Sequence, residues 1–181
     1  MSAPPVIIVA EPDPLISSVL RVEFTEMDFA VLMAATAPEA EEYAAHAIAS
    51  LVVLDVGALG LAGYGACVRI RRRIGYADRP IVLTSGDVSD RTGAAAKIAG
   101  ATILLPKPYS VSDLLTAVTP YLRAGDPLLT HRATRPGVGQ EWTAAPAPVV
   151  KAGRDSTLTR NGLLLPIVRS AGVRIPLHRK T

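Results

Sequence analysis

Five short, almost wholly apolar runs alternate with longer stretches of helical periodicity, and this alternation constrains the chain more than any other feature. The runs are Val6 to Ala10, Phe29 to Ala34, Leu51 to Asp55, Ile81 to Thr84 and Ile103 to Leu105. Each lacks the polar–apolar alternation of a strand with one wet face, so each reads as a strand covered on both sides. Strands of that kind separated by helices predict crossover units around a parallel sheet, an α/β fold.

Local signals place the helices independently. Asp13-Pro14 combines an N-cap with a first-turn proline, and Leu15, Ile16, Val19, Leu20, Phe24 and Met27 continue from it at helical spacing. Thr36-Ala37-Pro38-Glu39 reads as a capping box, and Ser110-Val111-Ser112-Asp113 opens a third apolar periodic stretch. After Arg123 the pattern dissolves: the last 58 residues hold six prolines and six glycines. A domain over residues 1–123 is expected, followed by a mostly extended or disordered tail over 124–181. Its one apolar cluster, Leu163 to Val168, is interrupted by Pro166.

Charge divides along the same line. Met1 to Arg123 carries 10 basic and 13 acidic residues, the remainder 9 and 3, so an acidic body bears a basic tail. Those basic residues are sparse, and Trp142 is the tail's one indole, so nucleic-acid binding is disfavoured. No apolar run reaches the roughly 18 residues of a membrane span, and no signal peptide is evident, so the cytoplasm is the default expectation. Cys67, the single cysteine, rules out an internal disulfide and reads as a small buried hydrophobe. The arginines at 69, 71, 72 and 73 read as a solvated helix end. The glycines of Gly60-Leu61-Ala62-Gly63-Tyr64-Gly65 follow the third strand rather than the first and in the wrong order for a dinucleotide loop. His46, His131 and His178 stand apart, without metal-ligand spacing, and no hydrolase nucleophile motif occurs. The chain is not expected to be an enzyme.

In an open parallel sheet the chemistry gathers beyond the carboxyl ends of the strands. Those ends carry Glu11-Pro12-Asp13, Asp55, Thr84-Ser85 and Lys107. With strand order 2-1-3-4-5, the four ends share one crevice. Acids after strand one, Asp55 before a glycine-containing stretch, Thr84-Ser85 and Lys107-Pro108-Tyr109 occur in this order over about residues 5 to 123. In these elements the chain resembles the receiver domain of response regulators.

The resemblance implies a flavodoxin-like, doubly wound five-stranded sheet and a place in two-component phosphorelay signalling. Asp55 is then the phosphoacceptor, with Thr84 and Lys107 meeting phosphoryl oxygens. Mg²⁺ is held by Glu11, Asp55 and the carbonyl of Gly57, and no other cofactor is implied. A histidine kinase or phosphotransfer protein is the donor, a downstream protein the recipient, and a homodimer remains open. Lys107-Pro108 is expected to be cis. Four positions depart from the pattern: Pro12 replaces the second acid, Leu104 the usual switch aromatic, Leu59 a proline and Ala62 an acid. These departures keep a second reading in view, a protein-binding module on the same scaffold that acts without phosphorylation.

Overall fold

A computed structural model describes residues 3–134. The expected sheet is present: β1 (Val6–Ala10), β2 (Ala30–Ala34), β3 (Leu51–Asp55), β4 (Ile81–Ser85) and β5 (Ile103–Pro106) are all parallel in the order β2-β1-β3-β4-β5. The helices are α1 (Pro14–Glu26), α2 (Ala37–His46), the single turn α3 (Val56–Leu59), α4 (Leu61–Arg71), α5 (Asp90–Ile98), α6 (Val111–Val118) and α7 (Pro127–Thr134).

Because side chains alternate across a strand, the central strands build two separate cores. Ile7, Val9, Leu51, Val53, Val82, Ile103 and Leu105 face one way and pack with Leu20 and Phe24 of α1 and Leu114 and Leu115 of α6. Ile8, Ala10, Val52, Leu54 and Leu83 face the other and pack with Ala40 and Ala44 of α2, Ala66, Cys67 and Ile70 of α4 and Ala96 of α5. The second layer is rich in alanine, and Tyr76 is the largest side chain wholly buried in the fold. The Tyr76 hydroxyl accepts from Ala49 N at 2.9 Å and donates to Ala47 O at 2.6 Å, which pins the α2–β3 loop to the β4 side.

The start signals act as expected except at Thr36, where Glu39 Oε2 accepts from Ala35 N at 2.8 Å and no reciprocal box forms. Asp13 Oδ1 accepts from Leu15 N and Ile16 N at 2.8 and 3.3 Å, Thr36 Oγ1 from Glu39 N at 3.3 Å, and Ser110 and Asp113 form a reciprocal capping box. Ser89 caps α5 through Thr92 N.

Gly60, at φ 56°, breaks α3 from α4, and Gly63 lets the two meet, since a Cβ there would lie 3.0 Å from Leu59 Cβ. One expectation needs correction. Arg71 is no solvated helix end. Its guanidinium donates to the carbonyls of Tyr76, Arg79 and Gly100 and to Thr102 Oγ1, tying two loops beneath the sheet, and desolvation lowers its pKa. After Arg123, where a mostly extended or disordered tail is expected, the described part Pro127–Thr134 folds as α7, with Leu128 fully buried in the α1/α6 layer. His131 Nε2 lies 2.8 Å from Met27 O, and its ring centroid 4.6 Å from that of Phe29. Arg79 pairs with Asp126 at 3.2 Å. Met27 and Arg79 both precede strands, so α7 crosses the amino-terminal pole of the sheet. The remaining tail, with Trp142, Leu163 to Val168 and His178, lies outside the described residues.

Candidate functional site

At the opposite pole, the parallel register sets Asp55 beside Thr84, and Ser85 beside Pro106. The last residue of β1, Ala10, delivers Glu11 into the same crevice, where Glu11 N donates to Ala34 O at 3.0 Å. The four polar ends expected to converge do so.

Asp55 is 3 % exposed and doubles as the N-cap of α3. Its Oδ1 accepts from Gly57 N at 2.9 Å and Ala58 N at 3.3 Å. Its Oδ2 accepts from Lys107 Nζ at 2.7 Å. Glu11, equally buried, divides its oxygens in the same way: Oε1 accepts from Asp13 N at 3.1 Å and Oε2 from Lys107 Nζ at 2.6 Å. One ammonium therefore bridges two nearly buried carboxylates. Desolvation pulls the Lys107 pKa down, but hydrogen bonds and charge from Asp55 and Glu11 outweigh it and hold the pKa above the usual lysine value. Lys107 N also donates to Ser85 O at 2.9 Å, and Lys107-Pro108 is cis.

Thr84 is fully buried, and among the described residues its Oγ1 forms no well-aligned hydrogen bond, the Tyr109 phenol being the one polar neighbour close enough to be coupled to it. A buried hydroxyl with free hydrogen-bonding capacity is uncommon and suits a site whose ligand completes it. Tyr109 is the pocket residue that sequence reasoning passed over. Burial pushes its phenol up to about 12, with the Thr84 hydroxyl and the Lys107 charge acting the other way. Its position two residues after Lys107 was the available signal. Leu104, by contrast, is buried in the α2/α4/α5 layer and carries no polar group toward the pocket.

The oxygen donors suit a hard cation in type and fall short in number. Among the described residues no group of three His, Cys, Asp or Glu side chains gathers to hold a metal, and the two pocket acids are Glu11 and Asp55. Pro12 brings none. A side chain at Gly57 would crowd the carboxylate, since a Cβ there would stand 3.1 Å from Asp55 Oδ1. Mg²⁺ tolerates several waters, so two carboxylates and one carbonyl fit a partly hydrated ion. Asp13 Oδ1 is engaged instead in capping the start of α1.

Comparison with known proteins agrees with this geometry. Residues 7–119 match the family model described as response regulator receiver domain. The chain is 32 % identical over 128 residues to a probable transcriptional regulator ycf27 of Porphyra purpurea, covering 69 % of this chain and 50 % of that protein. A ycf27 protein of Pyropia yezoensis is also 32 % identical, over 127 residues. The chain thus spans about half the length of the curated relatives it matches. Among solved structures, chemotaxis protein CheY4 of Vibrio cholerae shares the fold with a TM-score of 0.61 at 22 % identity, covering 66 % of this chain and 100 % of that one. The receiver domain of sensor histidine kinase PA1611 of Pseudomonas aeruginosa, solved with magnesium coordinated in its active site cleft, gives a TM-score of 0.59 at 20 % identity, covering 66 % and 98 %. Among the described residues no helix is long and apolar enough to cross a membrane. Sheet order, the acid–lysine crevice and a family match over most of the folded body lead to one assignment: the chain belongs to the response regulator receiver family.

Proposed function

We propose that this receiver takes a phosphoryl group onto Asp55 from a histidine kinase or phosphotransfer protein, and passes the signal on through contacts with a downstream protein. One observation carries the reading: Lys107 Nζ bridges Asp55 Oδ2 and Glu11 Oε2 in a crevice that also holds the buried hydroxyl of Thr84.

Each residue then has a definite task. Asp55 Oδ1 stays on the amides of Gly57 and Ala58 while Oδ2 faces the incoming phosphorus. The Oδ2–P bond forms as the P–N bond of phosphohistidine breaks, and the departing imidazole takes up a proton from solvent. Lys107 exchanges its contact with Asp55 Oδ2 for a phosphoryl oxygen, and the Thr84 hydroxyl donates to another. Charge stabilisation by fixed donors is what phosphoryl transfer chiefly requires. Mg²⁺ held by Glu11, Asp55 and the Gly57 carbonyl supplies the remaining charge neutralisation when bound.

Pro12 favours a second reading. With one acid fewer than the family pattern, Lys107 alone spans the two that remain, and this arrangement also suits a binding module that acts without phosphorylation.

Intact-mass spectrometry of the full chain with a small phosphodonor and Mg²⁺ separates the two. Phosphorylation adds about 80 Da, and Asp55→Asn removes the gain. A wild-type chain that gains no mass, or an Asp55→Asn chain that gains as much, overturns the first reading.

A further inference from the structure

Burying the Thr84 hydroxyl without an aligned hydrogen bond costs free energy, so the groups around it bear on what it does. The pleat of the sheet fixes which way it points. Val82 and Leu105 belong to the α1/α6 layer, Leu83 and Leu104 to the opposite one. Side chains alternate along β4, and Thr84 pairs in register with Leu105, so Thr84 projects on the α1/α6 side. Leu104 lies on the other side of the sheet. Tyr109, half-buried, packs against the layer that Thr84 faces, and its phenol is coupled to the Thr84 hydroxyl.

The chain anchors Tyr109 on both sides. Before it, Lys107 N donates to Ser85 O at 2.9 Å and holds the end of β5 against β4. After it, Ser110 caps α6 in its reciprocal box with Asp113, and Val111 N donates to Glu23 Oε2 of α1 at 3.3 Å. The ring is thus held beside Thr84 by contacts that do not involve its own hydroxyl.

A threonine hydroxyl has a single hydrogen to give and lone pairs to receive with. If that hydrogen went to the phenol, none would remain for an anion in the crevice. The phenol is the better donor of the two. Burial pushes its ionisation up to about 12, so at neutral pH it keeps its hydrogen and can give it to Thr84 Oγ1. Hydroxyls linked in series polarise one another, which makes the second a stronger donor.

We propose that Tyr109 is the positioning residue for Thr84: its phenol donates to Thr84 Oγ1 and leaves the threonine hydrogen for an oxyanion in the crevice. A small turn of either side chain aligns the bond. The oxyanion is the phosphoryl group on Asp55, so the inference rests on that reading and adds to it a task for the hydroxyl of Tyr109 that its ring alone does not perform.

Tyr109→Phe keeps the ring and removes the hydroxyl. The rate of mass gain from a small phosphodonor with Mg²⁺ is followed for the full chain as wild type, Tyr109→Phe, Thr84→Val and the double variant. Tyr109→Phe slows the wild-type rate about five-fold, the worth of one neutral hydrogen bond, and has no further effect once Thr84→Val is present. In a Thr84→Ser chain, which keeps a hydroxyl, Tyr109→Phe slows the rate again. A tyrosine that only fills space slows every background alike or none, and either result overturns the proposal. Urea unfolding of the same four proteins needs no phosphoryl group: the double variant is expected to lose less than the sum of the two single losses. Additive losses overturn the proposal. A wild-type chain that gains no mass overturns the reading of Asp55 instead, and the unfolding cycle then decides whether the phenol serves Thr84.

Discussion

Lys107 Nζ stands 2.7 Å from Asp55 Oδ2 although 52 positions separate the two in sequence, and the same nitrogen holds Glu11. Lys107→Met leaves two nearly buried carboxylates facing each other. A fully buried pair broken in this way costs about 3–5 kcal/mol, and with the lysine side chain 21 % exposed we expect about 1–3 kcal/mol in urea unfolding at neutral pH. The folded-state pKa of Lys107 is raised. Its contribution is therefore complete below the unfolded lysine value of about 10.4 and is lost as pH climbs through the folded value. The stabilities of wild type and Lys107→Met converge on the alkaline side. A gap that widens there contradicts the pairing.

Pro12→Asp supplies the carboxylate that the pocket lacks. Mg²⁺ binding, followed by titration calorimetry, is expected to tighten on the order of ten-fold, since affinity for hard cations follows ligand charge. Equal affinities would remove position 12 from the metal site.

Cys67 gives a folding probe. Burial pushes its thiol up to about 12, with Arg71 opposing. The native chain should resist thiol reagents at pH 8 and label fully once unfolded. Because the folded value is raised, the stabilisation is present below the unfolded thiol pKa of about 8.5 and declines as pH rises beyond it. Rapid labelling under native conditions would contradict the burial.

Leu128→Ala measures how firmly α7 is seated. Leucine-to-alanine changes at fully buried positions cost about 2–5 kcal/mol, and the lower half of that range is expected for a terminal helix. A midpoint shift equivalent to less than about 0.5 kcal/mol would mean that α7 contributes nothing to the cooperative unit.

Tyr76→Phe removes one hydroxyl and leaves two main-chain groups, Ala49 N–H and Ala47 C=O, without it. The loss of the buried pair is expected to cost about 1–3 kcal/mol in thermal or urea unfolding.

The sheet and its pocket were readable because both rest on local patterns. A strand buried on two faces writes an unbroken apolar run, and β3 ends on Asp55 in sequence as it does in space. Caps at Asp13, Thr36 and Ser110 are equally local. What escaped depends on partners far along the chain. Arg71 reads as one of four arginines until Gly100 and Thr102 come within reach of it. Gly63 reads as one glycine among several until Val56 and Leu59 close on it. Leu128 sits in a stretch of weak periodicity, and its burial is decided by α1 and α6 rather than by its neighbours. Tyr109 is visible only as the third member of a motif, because nothing local tells that its half-buried ring lies beside Thr84.

Two amide donors grip one oxygen of Asp55 and leave the other to the ammonium. That grip abolishes the equivalence of the two carboxylate oxygens and stops rotation about Cβ–Cγ. If Asp55 is the phosphoacceptor proposed above, a donor arriving at the crevice meets a nucleophile already aimed, with the ordering that attack demands completed during folding.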